Sequence, residues 1–226
     1  MVSPARYDGL ADWYETWSDR PEVAGFSGEA AAAVIRLLGP GPGRCLDVGC
    51  GGGRLLVGLH EAGWAPSGVD LSEDQLRVAA ERAGGRAEAL VAADATALPF
   101  ADGAFDAVVS TFTHTDLDDP GVVFRECARV LRDGGAFVYA GAHPCFVGPY
   151  AHRTGEGVVV PPGYWDDRLR FDAPGFGDGV RRLAGARHVP LAALLNHIAA
   201  AGLVLERAEE LRDDPPGILA LRAVRR

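Results

Sequence analysis

Apolar runs alternate with amphipathic segments along most of this chain. The apolar runs are short and rich in Val, Leu and Ala, which is typical of strands buried on both faces. The segments between them carry apolar residues at three- and four-residue spacing, which predicts helices packed against a sheet. The predicted strands are 44–48, 65–70, 89–93, 105–111 and 136–142, and the predicted helices between and after them are 52–62, 72–83, 119–132 and 190–201. Ser72-Glu73-Asp74-Gln75 has the pattern of a capping box that opens the helix over 72–83.

Further elements are predicted at both ends of the chain. Aromatic and apolar residues fall on one face of a helix over 7–20, and Ser27 is placed to cap a second helix over 27–38. Two apolar runs, 203–208 and 217–224, predict a terminal hairpin. The segment 143–187 is rich in Gly, Pro and aromatic residues and has no clear periodicity.

This order of elements limits the architecture. Alternating strands and helices require a mostly parallel sheet with right-handed crossovers and helices on both faces. The closing hairpin makes one edge of that sheet antiparallel. We therefore predict one α/β domain over 1–226, with an N-terminal helical cap over 1–40 and a substrate-side insert over 143–187.

Composition and charge exclude several classes of partner. The net charge is −9 without a basic cluster, which argues against nucleic acid. No apolar run is long enough to span a membrane, and the N-terminus lacks the regions of a signal peptide. The sequence predicts a cytoplasmic protein, monomeric or homodimeric, that binds neither nucleic acid nor membranes. All 22 basic residues are arginine, which excludes a Schiff-base lysine.

The cysteines indicate no metal site. Cys45, Cys50, Cys127 and Cys145 form no C-x-x-C pair and no zinc-ligand spacing. They are expected to be reduced thiols, and no bound metal is predicted.

A glycine-rich loop follows the first predicted strand. The sequence Leu46-Asp47-Val48-Gly49-Cys50-Gly51-Gly52-Gly53 leads from that strand into a helix. The second strand ends at Asp70, 21 positions after Gly49. Glycines let a backbone approach a ligand closely, and an acid at the next strand end suits a ribose diol. The dinucleotide fingerprint G-x-G-x-x-G fails because Arg54 stands at its third glycine.

The next two strands also end at polar residues. Asp94 follows the third strand, and Ser110 lies near the end of the fourth. Ligands of such sheets bind beyond the carboxyl ends of the strands. These residues are therefore expected to share one site with the glycine-rich loop.

Taken together, residues 44–142 resemble the class I methyltransferases that depend on S-adenosyl-L-methionine (SAM). The resemblance implies a Rossmann-like, seven-stranded, mostly parallel sheet, with SAM as cofactor and S-adenosyl-L-homocysteine (SAH) as product. It implies that Asp47, Gly49 and Gly51 hold the methionine portion and that Asp70 holds the ribose hydroxyls. The other implied cofactor contacts are Leu71, Asp94 and Ala95 around the adenine, the backbone of Ser110, and Tyr14 from the N-terminal cap.

Several alternatives remain open at this point. Asp94 has the position of a residue that caps the turn over Thr96. The aromatic face of the first helix fits either a core stripe or a lid over the cofactor. The whole chain fits two other functions: a SAM- or SAH-binding module without catalysis, or a nucleotide-cofactor enzyme on a similar sheet.

Two histidines at strand ends are the candidates for proton transfer. His114 follows the fourth strand and His143 follows the fifth, and either is a candidate general base. The alternative for each is a hydrogen bond within its loop. A metal-assisted variant would bring together His143, His152 and Asp116.

The acceptor is expected between the N-terminal cap and the insert. An aromatic, apolar pocket there favours a small, partly aromatic acceptor, whereas the atom that receives the methyl group (O, N or C) stays open. The lysine-free, Ala-, Gly- and Arg-rich composition is typical of a bacterium of high genomic GC content and suggests secondary metabolism, that is, natural-product tailoring. The candidate substrate residues are Tyr7, Trp17, Phe112, Phe146, Tyr150 and His152.

Overall fold

A seven-stranded sheet organises the computed structural model of this protein. The structure describes residues 5–149, 151–173, 176, 178–211 and 214–226, with the backbone alone for residues 152 and 153. The strand order is β3-β2-β1-β4-β5-β9-β8. The strands of this sheet are β1 Arg44–Val48, β2 Ala65–Asp70, β3 Ala89–Ala92, β4 Phe105–Thr111, β5 Leu131–Ala142, β8 Leu203–Leu211 and β9 Ile218–Arg225.

The sheet confirms the predicted mixture of parallel and antiparallel strands. β1 pairs in parallel with β2 and with β4, so that Val48 lies beside Val69 and Asp47 lies beside Val109. The C-terminal strands β9 and β8 pair antiparallel, as the predicted hairpin requires. This is the Rossmann-like fold that the sequence predicted, and the carboxyl ends of β1 to β4 meet at one edge.

Helices cover both faces of the sheet. The helices are α1 Ala11–Ser18, α2 Pro21–Leu38, α3 Arg54–Glu61, α4 Glu73–Ala83, α5 Pro120–Val130, α6 Arg181–Ala184 and α7 Leu191–Ala200. Alternate residues of β1 enter opposite layers: Cys45 packs with Val34 of α2, and Leu46 packs with Phe124 of α5. Asp47 shares the face of Cys45 and is the polar exception in a strand otherwise buried in apolar layers.

The prediction that Ser27 caps the second helix was wrong. That helix already begins at Pro21, and Ser27 lies inside it with its Oγ donating to the Val23 carbonyl at 3.0 Å. Proline suits a first helical position because its missing N–H has no intrahelical partner there. The first helix is also shorter than predicted, since it spans Ala11–Ser18.

The predicted capping box at α4 forms only in part. The Ser72 hydroxyl accepts the Gln75 N–H at 3.3 Å, as predicted for an N-cap. The Ser72 N–H, however, donates to Asp70 Oδ1 at 2.9 Å, so it does not bind the Gln75 amide. In a complete capping box the Gln75 side chain would accept the Ser72 N–H. Asp70 accepts that N–H instead, so the Gln75 amide is available for another contact.

The insert contains regular structure that its sequence pattern did not reveal. The short strands β6 His152–Thr154 and β7 Gly157–Val159 form an antiparallel hairpin. The short helix α6 follows, and its Arg181 reaches back toward the sheet edge. Across the described ranges of the chain, the structure has no helix with the length and apolar character of a membrane span.

The two helix-start assignments give a stability test. Asp119 caps α5 by accepting the Val122 N–H at 3.0 Å, so Asp119→Ala should lower the free energy of unfolding by about 1 kcal/mol. Ser27→Ala should change it by less than about 0.5 kcal/mol, because no cap is lost and alanine favours a helix interior. Urea unfolding of the two variants measures both effects. A larger loss for Ser27→Ala than for Asp119→Ala would contradict the observed helix starts.

Candidate functional site

A cavity of about 230 Å³ opens at the carboxyl ends of the parallel strands. It lies where ligands bind in open α/β sheets. Many of the residues predicted from the sequence lie together on its wall. These are Tyr7, Tyr14, Gly49, Gly51, Asp70, Leu71, Asp94, Ala95 and Phe112.

The glycine-rich loop has the backbone conformation that its sequence predicted. Gly49 and Gly51 have φ values of 72° and 50°, in the left-handed region that favours glycine. A Cβ on Gly49 would collide with the Thr113 side chain, whereas a Cβ on Gly51 would have no neighbour closer than 3.8 Å. Gly51 lies on the cavity wall, so the space beside it is ligand space.

Asp70 is fixed at the end of β2 by backbone donors. Its Oδ2 accepts the Gly51 N–H at 2.8 Å, and its Oδ1 accepts the Ser72 N–H at 2.9 Å. Burial raises the pKa of Asp70, and these two hydrogen bonds oppose the rise. Each carboxylate oxygen has a second lone pair, so Asp70 can still accept two hydroxyl donors such as a ribose diol.

Asp94 makes the turn that was the alternative to cofactor binding. Its Oδ1 accepts both the N–H and the hydroxyl of Thr96, at 2.9 and 2.7 Å. Within the described residues its Oδ2 has no hydrogen bond, and Asp94 lies on the cavity wall. The turn therefore orients the carboxyl group without occupying all of it.

Asp47 is buried beneath the glycine-rich loop with both carboxyl oxygens unpaired among the described residues. Burial raises the pKa of Asp47 to about 8, and the nearby Asp70 carboxyl adds to the rise. An unpaired buried carboxyl group is unfavourable, and a nearby positive charge would relieve the cost of ionising it. Asp47 is therefore prepared for a cationic ligand.

Gln75 is a cavity residue that the sequence reasoning missed. Its side chain is 2% exposed, and both atoms of its amide group lack a partner among the described residues. It lies on the cavity wall, with Oε1 facing the open side of Gly51. An amide group offers a donor and an acceptor, which suits a hydroxyl-bearing ligand. The sequence did single out Gln75, but only as a member of the capping box, which pairs its amide with the Ser72 N–H.

The N-terminal segment forms one side of the cavity. Tyr7 packs edge-on against Tyr14 with their ring centroids 5.7 Å apart, and both line the cavity. Two polar contacts join this segment to the start of α4: Ser72 Oγ donates to Asp8 at 2.6 Å, and the Gly9 N–H donates to Asp74 at 2.6 Å. The position of these rings fits the lid alternative.

Glu15 ties the first helix to the glycine-rich loop. Its carboxylate lies 2.9 Å from Arg54 and also pairs with Arg82. Arg82 in turn donates to the Gly52 carbonyl within the loop. Glu15 thus connects the first helix to the glycine-rich loop through two arginines.

Ser110 and Phe112 have different surroundings at the end of β4. The Ser110 hydroxyl is buried and donates to the Val48 carbonyl at 2.9 Å, which joins β4 to β1. Phe112 lies on the cavity wall with a φ of 56°, an uncommon value for a residue other than glycine. Its ring packs on Phe26 at 5.4 Å. Strained backbone of this kind is concentrated at functional sites.

Both candidate histidines are buried and hydrogen-bonded. His114 Nδ1 lies 2.5 Å from the Tyr139 hydroxyl, and burial lowers the pKa of His114 to about 3. His143 Nδ1 accepts the Cys145 N–H at 3.2 Å, and its Nε2 lies 2.8 Å from Glu210. Neither ring belongs to the described cavity wall.

The remaining predicted substrate residues lie in other surroundings. Trp17 stacks on Trp13 at 6.0 Å and faces Gly179 of the insert. Phe146 packs on His143 at 4.7 Å. Tyr150 and the side chain of His152 lie outside the described residues.

A charged cluster at the insert side of the cavity was not predicted from the sequence. Arg181 Nη1 lies 2.6 Å from Asp116 Oδ1. Arg6 donates a hydrogen bond to the backbone carbonyl of Asp116. Arg6, Asp116 and Arg181 all line the cavity. Residues 6, 116 and 181 are far apart in sequence, so only the fold brings them together. Within the described residues, no group of three or more His, Cys, Asp or Glu side chains is placed to hold a metal ion.

Residues 46–139, which contain the loop and the four strand ends, match the family model described as a methyltransferase domain. This match identifies residues 46–139 as a methyltransferase domain of the class I SAM-dependent type. SAM is the cofactor of this family. The family assignment agrees with the cavity position and with the confirmed strand order.

Two relatives illustrate how far the similarity of this chain extends. It is 36% identical over 133 residues to a demethylmenaquinone methyltransferase of Roseiflexus castenholzii, which covers 57% of this chain and 55% of the relative. It is 44% identical over 115 residues to a malonyl-[acyl-carrier protein] O-methyltransferase of Geobacter sulfurreducens, covering 50% and 43%. The matches span about half the length of these relatives.

The fold of this chain is also similar to solved structures. One is the crystal structure of a SAM-dependent methyltransferase from Mesorhizobium loti, with a TM-score of 0.69 at 23% identity. That similarity covers 92% of this chain and 100% of the other chain. It extends beyond residues 46–139 and supports the sheet as a whole.

The groups on and beneath the cavity wall suit SAM chemically. The sulfonium and ammonium groups of SAM are cationic, which suits the unpaired Asp47 carboxyl beneath the loop. The ribose diol suits Asp70, and the unpaired amide of Gln75 lies on the same wall. Gly51 leaves room for the ligand beside the loop.

The raised pKa of Asp47 gives a pH test. Below about pH 8 the free protein holds Asp47 protonated, whereas a cationic ligand favours the ionised form. SAM binding should therefore release a proton, and affinity should rise with pH by up to about tenfold per unit between pH 5.5 and 7.5. Calorimetry in buffers of different ionisation enthalpy measures both quantities. Asp47→Asn should abolish the proton release, and equal release from both proteins would contradict the assignment.

Proposed function

We propose that this protein transfers the methyl group of SAM to a small-molecule acceptor bound in the same cavity. The supporting observation is the cavity itself, which joins Gly49, Gly51 and Asp70 on one side to Tyr7 and Arg181 on the other. The first side carries groups suited to a nucleoside and an amino acid. The second side is formed by the N-terminal segment and the insert, and offers room for an acceptor.

The cofactor contacts that we propose follow from the hydrogen bonds and lining residues of the cavity. Asp70 binds the ribose hydroxyls through the lone pairs that Gly51 and Ser72 do not use. Asp94 presents its Oδ2 to the adenine amino group, with Leu71 and Ala95 beside the ring. Asp47 acts through its charge from beneath the loop. Ser110 contributes through its position, because its hydroxyl is engaged with Val48.

The chain promotes the reaction mainly through placement. Bound SAM supplies an electrophilic methyl group on its sulfonium. Methyl transfer is an in-line displacement, so the protein must hold the acceptor atom opposite the leaving sulfur and exclude water. Tyr7 and Tyr14 close the cavity above the loop, which serves both purposes. An acceptor that is already nucleophilic needs no base.

The acceptor that we propose is small, partly aromatic and typical of secondary metabolism. The two relatives described above are named for a quinone precursor and for a carrier-protein-bound acyl group, so the family includes different acceptors. In this chain Phe112, Leu117 and Val123 give the cavity apolar wall area. Aromatic and apolar walls with few polar groups are usual for binding sites of small organic molecules.

Asp70 gives the direct test of SAM binding. Asp70→Ala should weaken SAM and SAH binding at least about tenfold, because hydrogen bonds to a charged acceptor contribute roughly 1.5–3 kcal/mol each. Asp102→Ala is the matched control, since Asp102 pairs with Arg129 before β4 and is outside the cavity. Calorimetry measures affinity, and thermal melting checks the fold. Equal affinities for the two variants would refute the role of Asp70.

A screen with methyl-labelled SAM then tests turnover. Label in small aromatic or apolar acceptors supports the proposed function. SAM binding without label in any acceptor would favour the SAM-binding module, and failure to bind SAM would favour a different nucleotide cofactor.

The two histidines are tested with the best acceptor from that screen. Because both rings are buried and bonded, we expect His143→Ala and His114→Phe to keep turnover within about threefold of the wild type. His143→Ala should lower stability by about 1–3 kcal/mol, since it leaves a cavity where a fully buried ring was and removes the acceptor of the Cys145 N–H. If either variant instead loses roughly 10²–10⁴-fold in turnover with unchanged SAM affinity, the base role predicted from the sequence is correct. Stopped-assay kinetics and urea unfolding separate the two effects.

A further inference from the structure

Arg181 is the most unusual charged residue on the cavity wall. Its side chain is 22% exposed, and its Nη1 donates to Asp116 Oδ1 at 2.6 Å and to the Tyr7 hydroxyl at 3.2 Å. A longer contact joins Nη1 to the Gly185 carbonyl at 3.4 Å. Three neighbours thus hold one corner of the guanidinium group and fix its orientation.

The other edge of the guanidinium group is unused. All hydrogen bonds of Arg181 within the described residues are made by Nη1, which leaves Nε and Nη2 without acceptors there. These two nitrogens form the side-on fork that binds a carboxylate through two parallel hydrogen bonds. A largely buried fork held in place at its far corner is suited to a planar anion.

The charged side chains on this wall also favour a ligand with a single negative charge. Arg6 and Arg181 both line the cavity and contact the same residue, Asp116. Asp118 lines the cavity too, but it is paired with Arg187 at 3.0 Å. Asp70 and Asp94 lie at the other side of the cavity, at the ends of β2 and β3. In the cluster around Asp116, two guanidinium groups therefore stand beside one carboxylate, and a monoanionic ligand would balance them.

We propose that the methyl acceptor carries a carboxylate group, which the Nε and Nη2 atoms of Arg181 bind while Arg6 balances the charge. This inference rests on the proposed function, because it assigns the insert side of the cavity to the acceptor. The carboxylate is an anchor. The transfer itself breaks the bond from sulfur to methyl, forms a bond from the acceptor atom to methyl, and returns the bonding pair to sulfur. A proton that the acceptor atom carried leaves to solvent.

The experiment uses the full chain saturated with SAH, with benzoate and its neutral analogue benzamide as probes. Titrations followed by ligand-observed NMR should show benzoate binding at least about tenfold more tightly than benzamide. Arg181→Lys keeps the charge beside Asp116 but removes the fork. It should therefore weaken benzoate binding at least about tenfold and keep SAH affinity within about threefold of the wild type. Arg182→Lys, one residue further along α6 and outside the cavity wall, is the matched control.

Several outcomes would overturn the proposal. If Arg181→Lys weakens SAH at least tenfold, the fork holds the carboxylate of the cofactor itself. Equal binding of benzoate and benzamide, or no binding of benzoate to the SAH-loaded wild type, would also refute it. If SAH does not bind the wild type at all, the proposed function fails, and benzoate titration of the unloaded protein still tests the fork.

A second variant guards against misfolding of Arg181→Lys. Asp116→Asn removes the negative charge beside the fork and should tighten benzoate binding while leaving benzamide unchanged. Weaker benzoate binding in that variant, with an unchanged melting temperature, would contradict the charge argument.

Discussion

The site depends on how the glycine-rich loop is attached to the second strand. The N–H groups of Gly49 and Cys50 both donate to the Val69 carbonyl, at 2.8 and 3.0 Å. This pair of hydrogen bonds turns the chain across the end of β2, and the Gly51 N–H then reaches Asp70. The parallel register of β1 and β2 makes this geometry available, because Val48 lies beside Val69. The glycine-rich loop and Asp70 are therefore one hydrogen-bonded unit.

Much of the fold and of the cofactor side was predictable because it is local in sequence. Strand, loop and helix follow one another from β1 to β4, and each acid stands directly at a strand end. The errors are at positions with competing local partners. Ser27 has a capping residue type, but Pro21 already starts the helix. Gln75 completes a capping motif, but Asp70 takes the required donor, and the amide faces the cavity.

The acceptor side was less predictable because its residues come from distant segments. Arg6 and Arg181 meet at Asp116 only after the N-terminal segment and the insert fold over the sheet edge. Periodicity carries no information about such a cluster, since none of the three lies on a regular apolar face. The histidines show the converse problem. His143 follows a strand as a catalytic residue would, but the terminal hairpin supplies Glu210, which engages its outer nitrogen.

The contacts of the N-terminal segment have a consequence for the order of molecular events. Tyr7 and Tyr14 cover the cavity, and Glu15 pairs with Arg54 and Arg82 near the loop. A ligand that leaves past this segment must first break the ion pairs of Glu15. Release by that route is a gated step, and its rate then depends on the rupture of ion pairs as well as on chemistry. Such pairs are partly exposed and screened by salt, so the gate opens more readily as ionic strength rises.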